Sequence, residues 1–126
     1  MNQALFCLGK PEESALYEEL EARILALCPD VTPKHDRTQT AFVRQVQFVW
    51  LSLPRRKADA GCLMLSIGLP SRIYSPRVLY AAEVGPSRWM HHLILHSVQD
   101  FDAEVSAWVS ASWGLIGPGR QGGATP

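Results

Sequence analysis

Apolar residues near the start of the chain recur every three or four positions, which is the spacing of one helix face. These positions are Leu16, Tyr17, Leu20, Ile24, Leu27 and Cys28. Pro11 and the two glutamates after it favour a helix start, because the first turn leaves no partner for the N–H that proline lacks. Pro29 ends the pattern, which predicts a helix over roughly residues 12–28.

From residue 31 to residue 96 the apolar positions follow the short runs that are typical of β-strands. The predicted strands cover residues 31–34, 40–43, 48–53, 62–69, 78–84 and 89–96. In the run over 62–69, one alternating set is wholly apolar and consists of Leu63, Leu65, Ile67 and Leu69. The other set is mixed and consists of Cys62, Met64, Ser66 and Gly68. We therefore expect one sheet face in the core and a mixed opposite face.

A second helical pattern follows the last strand. Ser97 and Asp100 have the spacing of a capping box, which predicts that a helix starts at Ser97. The residues that share one face of this helix are Phe101, Val105, Trp108, Val109 and Ser112. Gly114 suits a C-cap, and the glycines and prolines of residues 114–126 predict a flexible tail.

The order of these elements is helix, strands, helix, with connections too short for helical crossovers between parallel strands. The sequence thus predicts an α+β fold, in which an antiparallel sheet of about five or six short strands has both terminal helices on one face. We expect one domain over residues 1–113 and the tail over 114–126. Strand order stays open, and residues 44–47 fit either a hairpin turn or a β-bulge within one long strand.

The formal net charge of zero is the sum of unequal segments. Residues 1–30 carry two basic and six acidic side chains, and residues 31–96 carry nine basic and three acidic ones. Residues 97–126 carry one basic and three acidic side chains. Many of the acids lie on the predicted helices, so the strands and loops are basic and could attract an anionic partner.

The three cysteines form no Cys-X-X-Cys pair, which is typical of reduced, buried residues in a cytosolic protein. The apolar run at residues 4–8 is too short for a signal peptide, and no run reaches the roughly 18 apolar residues of a membrane span. We expect a cytoplasmic protein with no membrane partner. Cys62 could act as a nucleophile only beside a histidine, and packing is the favoured interpretation.

Adjacent histidines are the most suggestive chemical feature, because imidazole can bind metals and transfer protons near neutral pH. On a strand, however, His91 and His92 point to opposite faces. His92 and His96 share a face but lie roughly 13 Å apart, too far for one ion. We predict no metal site and no catalytic residue, and expect one histidine to lie under a helix.

Arginines near aromatic residues supply the other candidate chemistry, because such surfaces bind phosphates and stack on bases. The candidate ligand-binding residues are Arg77, Arg88, His91, His92, Trp50, Tyr74 and Trp89. The alternative interpretation is that these arginines pair with helix acids or cap loops. The triplet at residues 55–57 is interpreted as a solvated loop.

Several short motifs resemble a known family. They are Phe-Cys-Leu-Gly-Lys-Pro at 6–11, Thr-Ala-Phe at 40–42, Ser-Pro-Arg at 75–77, Arg-Trp-Met-His-His at 88–92 and Ser-Val-Gln-Asp-Phe-Asp at 97–102. Together they resemble the domain-of-unknown-function family numbered 5655, over about residues 6–113. The resemblance implies an α+β domain and supplies no catalytic residue.

The leading hypothesis is a non-enzymatic binding or interaction module. Its open sheet face and nearby arginines would contact an anionic ligand, a nucleic acid or a protein partner. A second hypothesis is a small enzyme that uses His91 or His92 as acid/base, with Arg77 or Arg88 holding a substrate anion. A third is a structural homodimeric accessory domain that buries the open face against a second copy. No cofactor is expected.

Overall fold

The computed structural model describes residues 4–116, which form two α-helices and six β-strands. The helices are α1, Pro11–Leu27, and α2, Ala103–Ile116. The strands are β1, Thr32–His35; β2, Gln39–Arg44; β3, Val46–Ser52; β4, Leu63–Leu69; β5, Tyr80–Gly85; and β6, Arg88–Leu95. Short 3-10 turns occupy Leu5–Cys7, Lys57–Asp59 and Val98–Asp100.

The strands pair into one antiparallel sheet in the order β1-β2-β3-β4-β6-β5. With one helix before this sheet and one after it, the predicted α+β class is confirmed. β6 lies between β4 and β5 because the connection over residues 70–79 spans the roughly 10 Å of one skipped strand position.

Of the two alternatives for residues 44–47, the structure has the hairpin turn, and the single long strand with a bulge is wrong. β2 and β3 are joined through Gln45 alone, whose φ of 70° lies in the left-handed region that tight turns use. The strand register also shifts between Phe42 and Val43, a bulge in which Phe48 is the extra residue of β3.

Both helices pack on the same face of the sheet. The apolar set of β4 lies there, in one buried cluster with residues of α1 and α2: Leu16, Leu20, Ile24, Leu63, Leu65, Ile67, Leu69, Val105 and Val109. Each buried leucine or isoleucine side chain stabilises the fold by about 1.5–3 kcal/mol. This layer is therefore the core, and the opposite side of the sheet, here called the uncovered face, packs against neither helix.

The N-cap of α2 differs from the prediction. Ser97 precedes only a 3-10 turn, and its side chain caps no backbone N–H. Asp102 is the cap instead, because its Oδ1 accepts the N–H of Val105 at 3.2 Å. The capping box predicted at Ser97 is wrong, since the carboxylate of Asp100 accepts the N–H of His96 at 2.8 Å.

The C-terminal end of α2 also differs from the prediction. The helix passes through Gly114 and continues to Ile116, so the predicted C-cap at Gly114 is wrong. The rest of the predicted tail, residues 117–126, lies outside the described residues. The division into a domain over 1–113 and a tail stays a prediction.

All three cysteines are free and buried, as expected of packing residues. Burial raises the pKa of Cys7 to about 11 and that of Cys28 to about 11. The pKa of Cys62 is also raised, first by burial and then by the negative charge of Asp59, which disfavours a nucleophilic thiolate. Within residues 4–116, no helix combines the length and the apolar character that crossing a membrane requires.

Candidate functional site

The sheet separates the two adjacent histidines. His91 is 1% exposed and faces the helices, where its Nε2 accepts the N–H of Ile73 at 2.9 Å. Its Nδ1 lies 3.4 Å from the carbonyl oxygen of Ile67. Burial lowers the pKa of His91 below its usual value, so the ring is neutral at pH 7. His91 therefore anchors the loop over residues 70–79 to the core.

Arg77 is held by the start of α2. Its Nη1 donates to Asp102 at 3.0 Å and to Glu104 at 3.3 Å, and its Nη2 donates to the carbonyl oxygen of Asp100 at 2.7 Å. The guanidinium is therefore already paired with groups of the same chain. The interpretation that arginines pair with helix acids thus applies to Arg77.

Tyr74 and Trp89 lie away from the uncovered face. Trp89 is opposite Leu69 and Glu83 in the sheet, in the rows on the helix side. The guanidinium of Arg72 lies 4.8 Å from the ring centroid of Tyr74 and 5.7 Å from that of Trp89, which are cation–π contacts. Tyr74 itself is 82% exposed.

Arg88 begins β6 at its hairpin with β5 and is exposed. It lines a groove of about 430 Å³ at one end of the sheet, together with two other predicted site residues, Trp50 and Trp89. The four side chains required by the enzyme hypothesis, His91, His92, Arg77 and Arg88, thus do not converge on one cleft.

On the uncovered face, Trp50 lines a second groove with another predicted site residue, His92. The register places them in one row across five strands: Ala41, Trp50, Ser66, His92 and Tyr80. Ser66 therefore lies between Trp50 and His92, and Tyr80 lies on the other side of His92. The part of the groove surface formed by Trp50, Ser66 and His92 is called the aromatic slot below.

The imidazole of His92 is held on two sides. A hydrogen bond joins its Nδ1 to the hydroxyl oxygen of Ser66 at 2.8 Å. The ring of Tyr80 stacks on it with centroids 4.4 Å apart. Burial, and then the positive charge of Arg55, lower the pKa of His92 below its usual value, so this ring is also neutral at pH 7.

The aromatic slot opens into a groove of about 420 Å³. Besides the slot residues, the groove is lined by Thr38, Gln39, Ser52, Leu53, Arg55, Met64 and Met90. The indole N–H of Trp50 donates to the side-chain oxygen of Gln47 at 3.2 Å, which fixes this wall. A neighbouring groove of about 470 Å³ shares Arg55 and Met64 and is lined further by Arg56, Asp59, Leu79, Tyr80 and Ile94.

The two arginines of these grooves differ in their partners. Arg56 donates to both carboxylate oxygens of Asp59, at 2.7 and 3.3 Å. Arg55 is exposed, lines both grooves and forms no hydrogen bond or ion pair with any residue of the range 4–116. Its guanidinium is therefore available to an anion from solution.

Sequence reasoning missed three residues of this site. Arg55 was part of a basic triplet interpreted as solvated, and nothing in the triplet showed that Asp59 would neutralise only Arg56. Alternation did place Ser66 on the mixed face of its strand. The registers that bring Ser66 and Tyr80 beside His92 depend on strand order, which the sequence left open.

The site contains no cluster that suits a metal ion: among residues 4–116, no group of three His, Cys, Asp or Glu side chains is close enough to hold one. Fold and site together define the class as a small α+β domain with one helix-covered sheet face and one grooved, aromatic face. The chain belongs to the family described as Domain of unknown function (DUF5655), which matches residues 6–116. No curated protein and no solved structure matches the chain.

Proposed function

We propose that this domain is a cytoplasmic, non-enzymatic binding module that takes a small anionic ligand on its uncovered sheet face. The observation that carries the proposal is the unpaired Arg55, which lines both grooves beside the aromatic slot. A guanidinium donates two parallel hydrogen bonds to a carboxylate or a phosphate. Next to apolar walls, that contact is screened by less water than on an open surface.

Binding is favoured over catalysis by the surroundings of Ser66 and His92. A serine nucleophile needs an accessible hydroxyl and a base that a third polar group orients. Ser66 is 6% exposed, and the imidazole of His92 is oriented by the ring of Tyr80 rather than by a carboxylate. The pair is therefore suited to forming a rigid wall of the groove.

A matched pair of dyes tests this proposal. Anilinonaphthalene sulfonate carries an anionic group on an aromatic frame, and phenylnaphthylamine has the same frame without the sulfonate. We expect the sulfonate to bind about tenfold more tightly, which corresponds to one charge-assisted hydrogen bond. Fluorescence titration measures both affinities.

The variant Arg55→Gln should remove the preference for the sulfonate. Lys10→Gln is the control, because it removes the same charge from an exposed residue before α1, on the helix side of the molecule. Equal affinities of the wild type for the two dyes, or an equal loss in both variants, would contradict an anion site at Arg55. Sedimentation at the same concentration tests the alternative of a homodimer through the uncovered face.

A further inference from the structure

The geometry points to a nucleoside monophosphate as the ligand, with its base in the aromatic slot and its phosphate on Arg55. This inference rests on the proposed function, because it assigns a chemical class to the anion bound at the same face. Its new element is the ring, which is supported by the groove that Trp50 and His92 line, by the contacts that hold both side chains and by the polar groups at the groove edge.

A groove of about 420 Å³ lies over the aromatic slot. Trp50, Ser66 and His92 are direct cross-strand neighbours on β3, β4 and β6. Neighbouring strands lie about 4.8 Å apart, so the Cα atoms of Trp50 and His92 are about 9.6 Å apart. Because the imidazole is bonded to Ser66, which is 6% exposed, a planar ring in this groove would contact Trp50 and His92 rather than the hydroxyl of Ser66.

Both walls are held by contacts within the protein before any ligand arrives. The indole of Trp50 is held by Gln47, and the imidazole of His92 is held by Ser66 and Tyr80. A rigid site loses little side-chain entropy on binding, which favours affinity for a flat ligand. The stack of Tyr80 on His92 also extends the aromatic surface beyond one ring.

Polar side chains line the rim of the same groove. Gln39 and Ser52 are opposite each other in the sheet, one row along from the slot, and Thr38 is adjacent in sequence. Their amide and hydroxyl groups can both donate and accept hydrogen bonds. The edge of a nucleobase carries both kinds of group, whereas a purely hydrocarbon ring would leave these side chains without a partner.

The charge of the groove favours a single nucleotide over a strand. A single-stranded nucleic acid needs a series of cations along its backbone. In the described part of the chain, these two grooves contain Arg55 and Arg56, and Asp59 neutralises the second of them. Within these two grooves, one free guanidinium matches one phosphate group, and Arg88 lies in the separate groove at the end of the sheet.

The test compares adenosine monophosphate, uridine monophosphate and ribose phosphate by calorimetry. We expect at least one nucleotide to bind tenfold or more tightly than ribose phosphate, and to shift the indole N–H resonance of Trp50. Equal binding of all three would overturn the assignment of the ring and leave the anion site at Arg55 intact. No binding of any of the three, together with no preference for the dye sulfonate, would overturn both proposals.

Two variants test whether the nucleotide binds at the aromatic slot. Trp50→Leu should reduce nucleotide affinity to that of ribose phosphate, and His92→Leu should do the same from the opposite wall. Tyr74→Leu is the control, because it removes an exposed aromatic ring outside the groove. An unchanged nucleotide affinity in both slot variants would overturn the inference.

Binding of an oligouridylate distinguishes a free mononucleotide from a nucleotide within a single-stranded nucleic acid. Under the assignment to a mononucleotide, the oligomer should bind no more than a few times more tightly than uridine monophosphate, and with a similar salt dependence. Much tighter binding that weakens steeply with added salt would overturn that assignment in favour of a single strand.

Discussion

His92 and Tyr80 face each other on neighbouring strands, and their rings stack with centroids 4.4 Å apart and planes 28° from parallel. Tyr80 thus covers one side of the imidazole, while Ser66 holds Nδ1. The adjacent His91 points the other way into the core. Two identical side chains, next to each other in the sequence, therefore have different surroundings because the sheet has two faces.

The stack makes the titration of His92 depend on Tyr80. Burial is the largest cause of the lowered pKa of His92, and Tyr80→Ala removes part of the cover. We expect the pKa of His92 to rise towards its ordinary value in this variant. An NMR titration of the imidazole protons measures the shift, and Tyr74→Ala is the control that removes a ring elsewhere. A pKa that stays the same in Tyr80→Ala would contradict this role of the stack.

The histidines His91, which is buried, and His92, which is half-buried, should make stability depend on pH. Their pKa values are lower in the folded state than the ordinary value near 6.5, so the unfolded chain binds more protons as pH falls. The free energy of unfolding should therefore decrease between pH 7 and pH 5, by at most about 1.4 kcal/mol per pH unit for each histidine. Urea unfolding at several pH values measures this slope.

The variant His91→Gln separates the contribution of the deeper histidine. Its amide oxygen can accept the N–H of Ile73 but does not titrate. The slope between pH 7 and pH 5 should become shallower in this variant. The lowered pKa values of Asp30, Asp100 and Asp102 act below this window, because carboxylates lose stabilising charge only at more acidic pH. An unchanged slope would show that His91 does not contribute.

The start of α2 gives a direct comparison between two candidate caps. Asp102→Ala should reduce the free energy of unfolding by about 1 kcal/mol, because the N–H of Val105 loses its acceptor. Ser97→Ala should change it by less than about 0.5 kcal/mol, since Ser97 caps nothing. Asp102→Asn keeps a capping oxygen and should cost less than the alanine variant. A larger loss in Ser97→Ala than in Asp102→Ala would restore the cap predicted from the sequence.

Periodicity predicted the elements well because each strand and helix has one face in a single core. Alternation in β4 placed Leu65 and Ser66 on opposite faces, and both assignments hold in the structure. The end of α2 was not predicted, because Gly114 has the residue type of a C-cap but lies inside the helix. The start of α2 was misplaced as well, because the cap is Asp102, which accepts the N–H of Val105, and the side chain of Ser97 caps no N–H.

The candidate site was less predictable because it depends on long-range register. Strand neighbours such as Trp50 and Ser66 are far apart in sequence, and a shift of one residue would move either side chain to the other face. The charge of the site also depends on contacts that the sequence does not show. Arg55 and Arg56 are adjacent and equivalent in sequence, and only the fold positions Asp59 to neutralise one of them.

Arg77 offers a test of whether a basic residue of the loop over 70–79 is structural. It contacts Asp102, Glu104 and the backbone of Asp100, while 30% of its side chain stays exposed. Arg77→Gln should therefore reduce the free energy of unfolding by about 1 kcal/mol at low salt, and by less at high salt.

The matched variant Arg88→Gln removes the same charge from an exposed residue for which no ion pair is found among residues 4–116, so we expect a change below about 0.5 kcal/mol. Urea unfolding at two salt concentrations measures both variants. Equal stability of the two variants would mean that the contacts of Arg77 contribute nothing net. In that case Arg77 would be as available to an external anion as Arg88, and the anion site would need to be mapped on both sheet faces.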